Sequence, residues 1–459
     1  MKGVVIMIYG IDLGTTNSLI GCNNHLISRL VSSRVDTEKC ITVPKDTVGD
    51  AIKASYKVNM GLGKTGQDAI NASSIVLQSL KDIVFKETGD TVKDVVISVP
   101  AYFSTNQRTA VQKAAEKVGL NLVRVINEPT AAAIHICGTK DINRGIYAIY
   151  DLGGGTFDCT LIDSRSGKYQ VIGTDGKILG GDDLDNAIAK AVTAKAKVPM
   201  YARSAVNVAS LLVECNKWKL LMQSIYDLTP DNNDYTVPIE LPESMQQTCT
   251  YVDFSLGDYK QFVVETFKST VTMMAGLIDR YINDVTTVDI IFVGGSTHCG
   301  FLRDYVTKNI GISYGSIRLD KEPDFTVALG CVEYATLLDN DSNDIVFSDV
   351  TKQLSVEEDD GTAIVIIPAN TVIPVTKTRL LTNKNLTKQL NVKLYQGNNV
   401  LECANEYIGS ILYDFPSVME PYEGNVEATI TVDSNGIIHL TVEDIVHFGE
   451  RKTIELKGY

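Results

Sequence analysis

The sequence holds a single tryptophan and only five histidines in 459 residues, and its nine cysteines include no CxxC pair. An odd, scattered set of cysteines argues against a disulfide framework or a zinc site, and fits reduced thiols such as Cys22, Cys40, Cys137 and Cys159 filling cores in a cytosol-like setting. Basic residues are scarce as well: 42 Lys and Arg stand against 56 Asp and Glu, a net charge of −14. That balance excludes a broad nucleic-acid or membrane-binding surface, so any anion site must be local. The apolar run Val4 to Ile8 is too short to cross a bilayer, has no cleavable small-residue segment and leads into polar GTTNS. It reads as a buried first strand, with Met7 as an alternative start. A P-loop is missing too, because GLGKTG lacks the GxxxxGK[ST] spacing. What remains, with 44% hydrophobic and 21% charged residues, has the make-up of an ordinary globular protein of two or three domains.

Glycine is where the sequence becomes specific. MIYGIDLGTTNSLIG and IYAIYDLGGGTFDCTLI each read as an apolar strand, an aspartate, glycines, threonine and a second strand. Adjacent glycines weaken a strand interior, so their presence points to close approach of something to the main chain. The turns of two such hairpins could offer backbone N–H nests and threonine hydroxyls to phosphate. Asp12, Asp151 and Asp158 would repel a bare phosphate, which makes sense only with a cation, Mg²⁺, held between them. Either turn alone is an ordinary hairpin; two copies about 140 residues apart read as an internally duplicated nucleotide clamp. A third segment, DIIFVGGSTHCGFLRDYV, reads as strand, glycine turn and helix, and EPDFTVALGCVEYAT as a helix packed on that strand.

These motifs, in this order and together with VVISVPAYFSTNQR, GLNLVRVINEPTAAA, LGGDDLD and VGGST, resemble the DnaK-type heat-shock chaperones over essentially the whole chain from Met7. The resemblance implies an α/β actin-like (ribonuclease-H-like) two-lobed ATPase domain over residues 7–338, a linker over 339–350 and an all-β sandwich that binds peptides over 351–459. It implies ATP and ADP with Mg²⁺ as ligands and allows K⁺. Carried over position by position, Gly14, Thr15, Thr16 and Asn17 resemble the first phosphate loop, and Gly153, Gly154, Gly155 and Thr156 the second. Asp12 and Asp158 match the carboxylates that orient Mg²⁺ through its water shell. Asp151 and Glu128 match those near the attacking water. Gly180 and Gly181, with Asp182 in place of the usual Glu, fall on the segment that closes over the phosphates; Gly294, Gly295, Ser296 and Asp324 fall on the nucleotide-facing turn and the loop beside it.

The family places a lysine at the γ-phosphate, where a cation offsets developing charge. Lys57 in YKVNMGLGK fits that position, with Lys53 and Lys64 as rivals and a solvated surface lysine as the plain alternative. Glu214 and Lys217 match the pair that binds the ribose. Trp218 and His298 stand where the family commonly sandwiches adenine between two arginines. An aromatic face can stack on a purine, so Trp218 serves either the base or the packing of its own helix.

After Leu338, DNDSNDIVFSDVT resembles the family's linker, with Ile345, Val346 and Phe347 as its apolar part and Asp349 as its acidic end. Alternation in AIVIIPANTVIP, QLNVKLYQGNN and VEATITVDSNGIIHLTVED predicts a compact sandwich. Alignment on the family puts Leu390 and Val392 at a peptide pocket, with Leu354 and Val356 on the opposing strand; sandwich core is the competing role for each. The family continues into a helical lid, whereas this sequence stops at Tyr459, which leads to the expectation of fast peptide release. Pro100, Arg108, Arg124, Pro129 and Asp349 occupy positions that in the family relay nucleotide state and answer to J-domain partners. The function expected is an ATP-dependent chaperone of the cytoplasm, an ATPase working with unfolded clients, a J-domain co-chaperone and a nucleotide-exchange factor. Its rivals are a non-hydrolysing assembly scaffold of the same fold and a small-molecule kinase on the same scaffold.

Overall fold

The computed structural model describes the chain apart from residues 1–6, 29, 45–46, 48–51, 54–55, 61–62, 102, 138–144, 166–169, 283–287, 311–313, 320–321, 340–349, 352, 358–361, 370, 398, 402–403, 445–451 and 456–459. Residues 340–349 of the expected linker, including Ile345, Val346, Phe347 and Asp349, lie outside the described residues, while Asp339 is the last residue of a helix and Val350 begins a short strand.

Two sheets of the same topology organise the first part of the chain. Strands β1 (Ile8–Leu13), β2 (Asn17–Cys22), β3 (His25–Leu26), β4 (Asp94–Val99) and β5 (Asn121–Asn127) lie in the order β3-β2-β1-β4-β5. Strands β6 (Ile146–Leu152), β7 (Phe157–Asp163), β8 (Gln170–Lys177), β9 (Val288–Val293) and β10 (Tyr314–Leu319) lie in the order β8-β7-β6-β9-β10. In each sheet the first three strands form an antiparallel meander and the last two run parallel to the first. β4 and β6 are buried along their whole length, as expected for strands covered on both faces. The glycine turns are hairpins, with Asp12 opposite Leu19 and Asp151 opposite Asp158.

The helices repeat as well. In the first half α1 (Gly63–Thr88) precedes β4, α2 (Thr105–Lys117) joins β4 to β5, and α3 (Glu128–Cys137) follows β5. In the second half α4 (Gly181–Lys195), α5 (Ala205–Leu228) and α6 (Leu256–Tyr281) precede β9, α7 (Gly300–Asn309) joins β9 to β10, and α8 (Thr326–Asp339) follows β10. The run of alanines in α3 has a steric reason: a Cβ on Gly330 of α8 would collide with the carbonyl of Ala131, so the two helix backbones nearly touch. Helix α8 does more than pack on β9 as the sequence predicts. It lies against β1 and α3, while Val327 and Cys331 share a core with Ile291 and Val293 of β9 and Ile149 of β6. One apolar core thus links the two sheets.

The C-terminal part is a sandwich of two four-stranded antiparallel sheets. Strands β11 (Leu354–Glu357), β12 (Ala363–Ile367), β14 (Thr387–Gln396) and β15 (Glu406–Met419) form the sheet β12-β11-β14-β15. Strands β13 (Val375–Thr382), β16 (Asn425–Val432), β17 (Ile438–Asp444) and β18 (Lys452–Glu455) form the sheet β13-β16-β17-β18. Strand β16 alternates strictly between half-buried and buried residues, the signature of one face in a shared core. Leu354, Val356 and Val392 are at most 3% exposed within that core, so they fill the sandwich and are not open to a peptide here. Alternation specified their face, and the face proved to be the inner one. Leu390 differs, being half-buried at the edge of the core.

Candidate functional site

The two glycine hairpins face each other. A Cβ on Gly154 would collide with Thr16 Oγ1, so the second turn rests directly on the first, and a cavity of about 430 Å³ opens beside them. Its floor is lined by Asp12, Gly14, Thr15, Thr16 and Asn17 from one hairpin and by Asp151, Gly153, Gly154 and Thr156 from the other. The start of α4 closes against the second turn through Gly181 N–H to Gly153 O (3.0 Å) and Asp182 N–H to Gly154 O (2.7 Å). Ser296 Oγ, from the glycine turn after β9, donates to the same Gly153 carbonyl at 2.8 Å. Three backbone segments distant in sequence are thereby pinned around one space.

Charge is concentrated at its base. Lys57 is 2% exposed and its Nζ lies 2.6 Å from Glu128 Oε1, with both residues on the cavity wall. Lys53 is exposed on the short strand Ile52–Lys53 and away from the cavity, and the side chain of Lys64 lies outside the described residues. Burial, followed by the charge of Glu128, pushes the Asp12 carboxyl up to about 6 against the pull of Lys57 and a hydrogen bond from Ser98. Burial and then the neighbouring charges of Glu128, Asp158 and Asp12 hold Asp151 well above the usual carboxylate range. Asp158 sits behind Asp151, 1% exposed and off the cavity wall. One lysine therefore faces several buried carboxylates, an arrangement that calls for a further cation.

The polar atoms at the floor are unspent. Thr16 Oγ1, Asn17 Oδ1 and Asp151 Oδ2 are buried with no hydrogen-bond partner among the described residues, which is costly unless a ligand completes them. Gly155 and Gly180 do not line the cavity; Gly180 packs on the Gly154–Gly155 backbone and so shapes the turn from behind.

Helix α5 differs most from expectation. Glu214, Lys217 and Trp218 line a separate outer groove with Val237 and Tyr251, and none reaches the cavity. Trp218 is 3% exposed, and its Nε1 donates to Val237 O at 3.0 Å, so it packs the helix onto the hairpin of Thr236–Glu240 and Tyr251–Ser255. The cavity is instead lined by Asn216, Lys219, Leu220 and Gln223. Lys219 Nζ lies 2.8 Å from Asp185 and 3.2 Å from Gly181 O, and Asn216 donates to Asp185 at 3.0 Å. Both sets follow the i, i+3, i+4 spacing of a helix face. The signal that separates them is the buried stripe Leu211, Cys215, Trp218 and Met222, which fixes the rotation of the helix. Across the cavity His298 bonds Asp324 at 3.0 Å, and that hydrogen bond raises the imidazole above its usual value.

The sandwich meets the first half of the chain at the start of α2. Glu406 Oε1 accepts from Ser104 Oγ at 3.0 Å and Asn106 Nδ2 at 2.9 Å, Gln396 Oε1 accepts from Thr105 N at 3.1 Å, and Asn435 Oδ1 from Val125 N at 3.1 Å. Arg108 is buried, donates to Asn127 Oδ1 at 2.6 Å and packs against Gly436 of the sandwich. Pro100 and Pro129 are buried next to these contacts in sequence, and Arg124 is half-buried on β5. The residue after Arg108's partner Asn127 is Glu128, so the cavity and the sandwich are joined by consecutive residues.

Among the described residues no three acidic, histidine or cysteine side chains converge as direct metal ligands, no helix is long and apolar enough to cross a membrane, and eight cysteines are free thiols. A family model described as Hsp70 protein matches residues 24–458. The chaperone protein DnaK of Mycoplasma mobile is 29% identical over 95% of this chain and 76% of its own length. The DnaK of Thermoplasma acidophilum is 31% identical over 81% of this chain and 60% of its own. The iron-sulfur cluster biogenesis chaperone, mitochondrial, of Saccharomyces cerevisiae is 30% identical over 82% of this chain and 57% of its own.

Proposed function

The chain belongs to the Hsp70 family, and on that premise we propose that it is a molecular chaperone that binds extended apolar peptide segments under control of ATP binding and hydrolysis. The duplicated sheets are then the cores of two actin-like lobes, and the cavity between the glycine hairpins is the nucleotide site. The observation that carries this reading is the contact of Gly154 with Thr16 above a charged floor.

In this reading the backbone of both turns and the hydroxyls of Thr15, Thr16 and Thr156 bind the phosphates. Mg²⁺ suits the site because Asp151 is buried and Asp12 half-buried on the cavity wall, both with too little positive charge around them, and Asp151 Oδ2 is unpartnered. The absence of three convergent ligands among the described residues fits a hydrated ion oriented by Asp12 and Asp151, with Asp158 adding charge from behind. When bound, the ion would supply positive charge that offsets the charge of the phosphates. Lys57 stabilises charge developing on the terminal phosphoryl group, and Glu128 holds Lys57 in place from the other side. Asp151 is placed to orient the attacking water. Such chemistry is mostly positioning, which suits residues fixed on strand ends.

Base recognition rests on Leu220, Gln223 and His298 instead of two arginines, so dispersion and amide contacts replace cation stacking there. Asn216 and Lys219 face the ribose. Coupling to peptide runs through Glu128, Asn127 and Arg108 to the sandwich turn at Gly436. Peptide affinity and nucleotide state then influence each other reciprocally. Leu390 remains the proposed peptide contact, and a J-domain protein and an exchange factor the proposed partners. A cytoplasmic setting is proposed as well, from the scattered, odd-numbered cysteines of the sequence.

Single-turnover hydrolysis of Mg·ATP, with and without a J-domain and an apolar peptide, tests the proposal. Slow turnover accelerated by both is expected. Tight Mg·ATP binding with no turnover would favour an assembly scaffold, a reading that a base wall without arginines makes the nearest competitor. No nucleotide binding would overturn the site.

A further inference from the structure

Strand β4 reads DVVISV, and every residue in it is buried. A hydroxyl in the middle of an apolar strand is costly unless it is fully hydrogen-bonded, so Ser98 is a poor choice for filling a core. It is 0% exposed, and its Oγ donates to Asp12 Oδ1 at 2.6 Å. A serine hydroxyl has one proton, and here that proton points at Asp12.

We propose that Ser98 is a positioning residue of the nucleotide site, holding one oxygen of Asp12 so that only Oδ2 is presented to the cation and phosphates in the cavity. The inference rests on the nucleotide-site reading above. Asp12 sits at the end of β1, and a carboxylate there can rotate about its terminal torsion, which has a broad, two-fold well. The hydrogen bond from β4 removes that freedom. No partner of Asp12 Oδ2 occurs among the described residues, so the oxygen left over is the one available to the cavity that Asp12 lines. Ser98 reaches no part of the cavity itself, and acts only through Asp12.

The test compares Ser98→Ala with Ser98→Thr in the full chain, using calorimetric titration with ADP in EDTA, titration with ADP in excess Mg²⁺, and single-turnover hydrolysis. Wild type should bind ADP more tightly with Mg²⁺ than without. Ser98→Ala should leave metal-free ADP affinity within about twofold, while the gain from Mg²⁺ and the turnover rate fall roughly ten- to a hundredfold, the weight of one hydrogen bond to a charged group. Ser98→Thr keeps the hydroxyl and should restore both. If Ser98→Ala matches wild type in its Mg²⁺ gain, or loses both affinities equally, or if Ser98→Thr is as damaged as Ser98→Ala, the inference is wrong. A wild type that binds no ADP in either buffer would bring down the nucleotide reading itself, and this inference with it. Circular dichroism melts of both variants identify a simple folding defect, which would lower both affinities together.

Discussion

Replacing Asp12 with asparagine should make the nucleotide-free protein more stable and less functional. The native state raises the Asp12 carboxyl from its ordinary 3.8 to about 6, chiefly by burying it and then by setting it near Glu128. A carboxyl held above its unfolded value is stabilising only while protonated; that stability is complete below about pH 4 and is lost as pH rises to about 6. At neutral pH the ionised group costs on the order of 3 kcal/mol, from 1.36 kcal/mol for each pH interval between the two values. An asparagine side chain carries no charge at this position, and its carbonyl could still accept from Ser98. Melting in EDTA without nucleotide should show Asp12→Asn ahead of wild type by on the order of 5 °C at pH 7.5. The gap should close between pH 6 and pH 4. A variant that melts at or below wild type at pH 7.5, or a gap that does not change with pH, would refute the argument that this carboxylate is strained by its surroundings. Mg·ADP affinity should fall in the same variant, the expected trade between a charged site and stability.

Lys57→Met should abolish turnover and lower stability by about 3 to 5 kcal/mol, since Glu128 is left buried without its partner. Adding Glu128→Gln should recover most of the stability and none of the turnover, as read by urea unfolding and single-turnover rates. Gly436→Val places a branched side chain at a φ of +75°, with its Cβ 3.1 Å from Arg108 Cδ, and so should loosen the sandwich from α2. Peptide should then no longer stimulate hydrolysis while the basal rate survives; retained stimulation would mean that this contact carries no coupling. Trp218→Phe should cost about 1 kcal/mol for the lost bond to Val237 and leave ADP affinity unchanged. Leu220→Asp, close by on the other face of the helix, should weaken ADP binding clearly.

Much of this protein was readable residue by residue, because the informative signals are short. A glycine turn with an aspartate before it and a threonine after it is a local object, and both copies form hairpins with Asp12 and Asp151 on the strand ends. Lys57 fits the family's lysine position through YKVNMGLGK, and it lies on the cavity wall against Glu128. The strands of the sandwich followed from alternation, since period two survives whatever the partner strand.

Rotation and depth needed the tertiary structure. On α5 two faces offer charged and polar residues at the same helical spacing, and only the packing of Leu211, Cys215, Trp218 and Met222 decides that Lys219 and Leu220 turn inward while Lys217 and Trp218 turn out. In the sandwich, alternation cannot tell a core face from a ligand face, and the second sheet covers Leu354, Val356 and Val392. The hydrogen bond from Ser98 to Asp12 joins neighbouring strands across 86 positions of sequence, and the bonds from α2 to Glu406 span 302 and 300. Local chemistry is written along the chain; which groups meet depends on how the sheets and helices close around a common core.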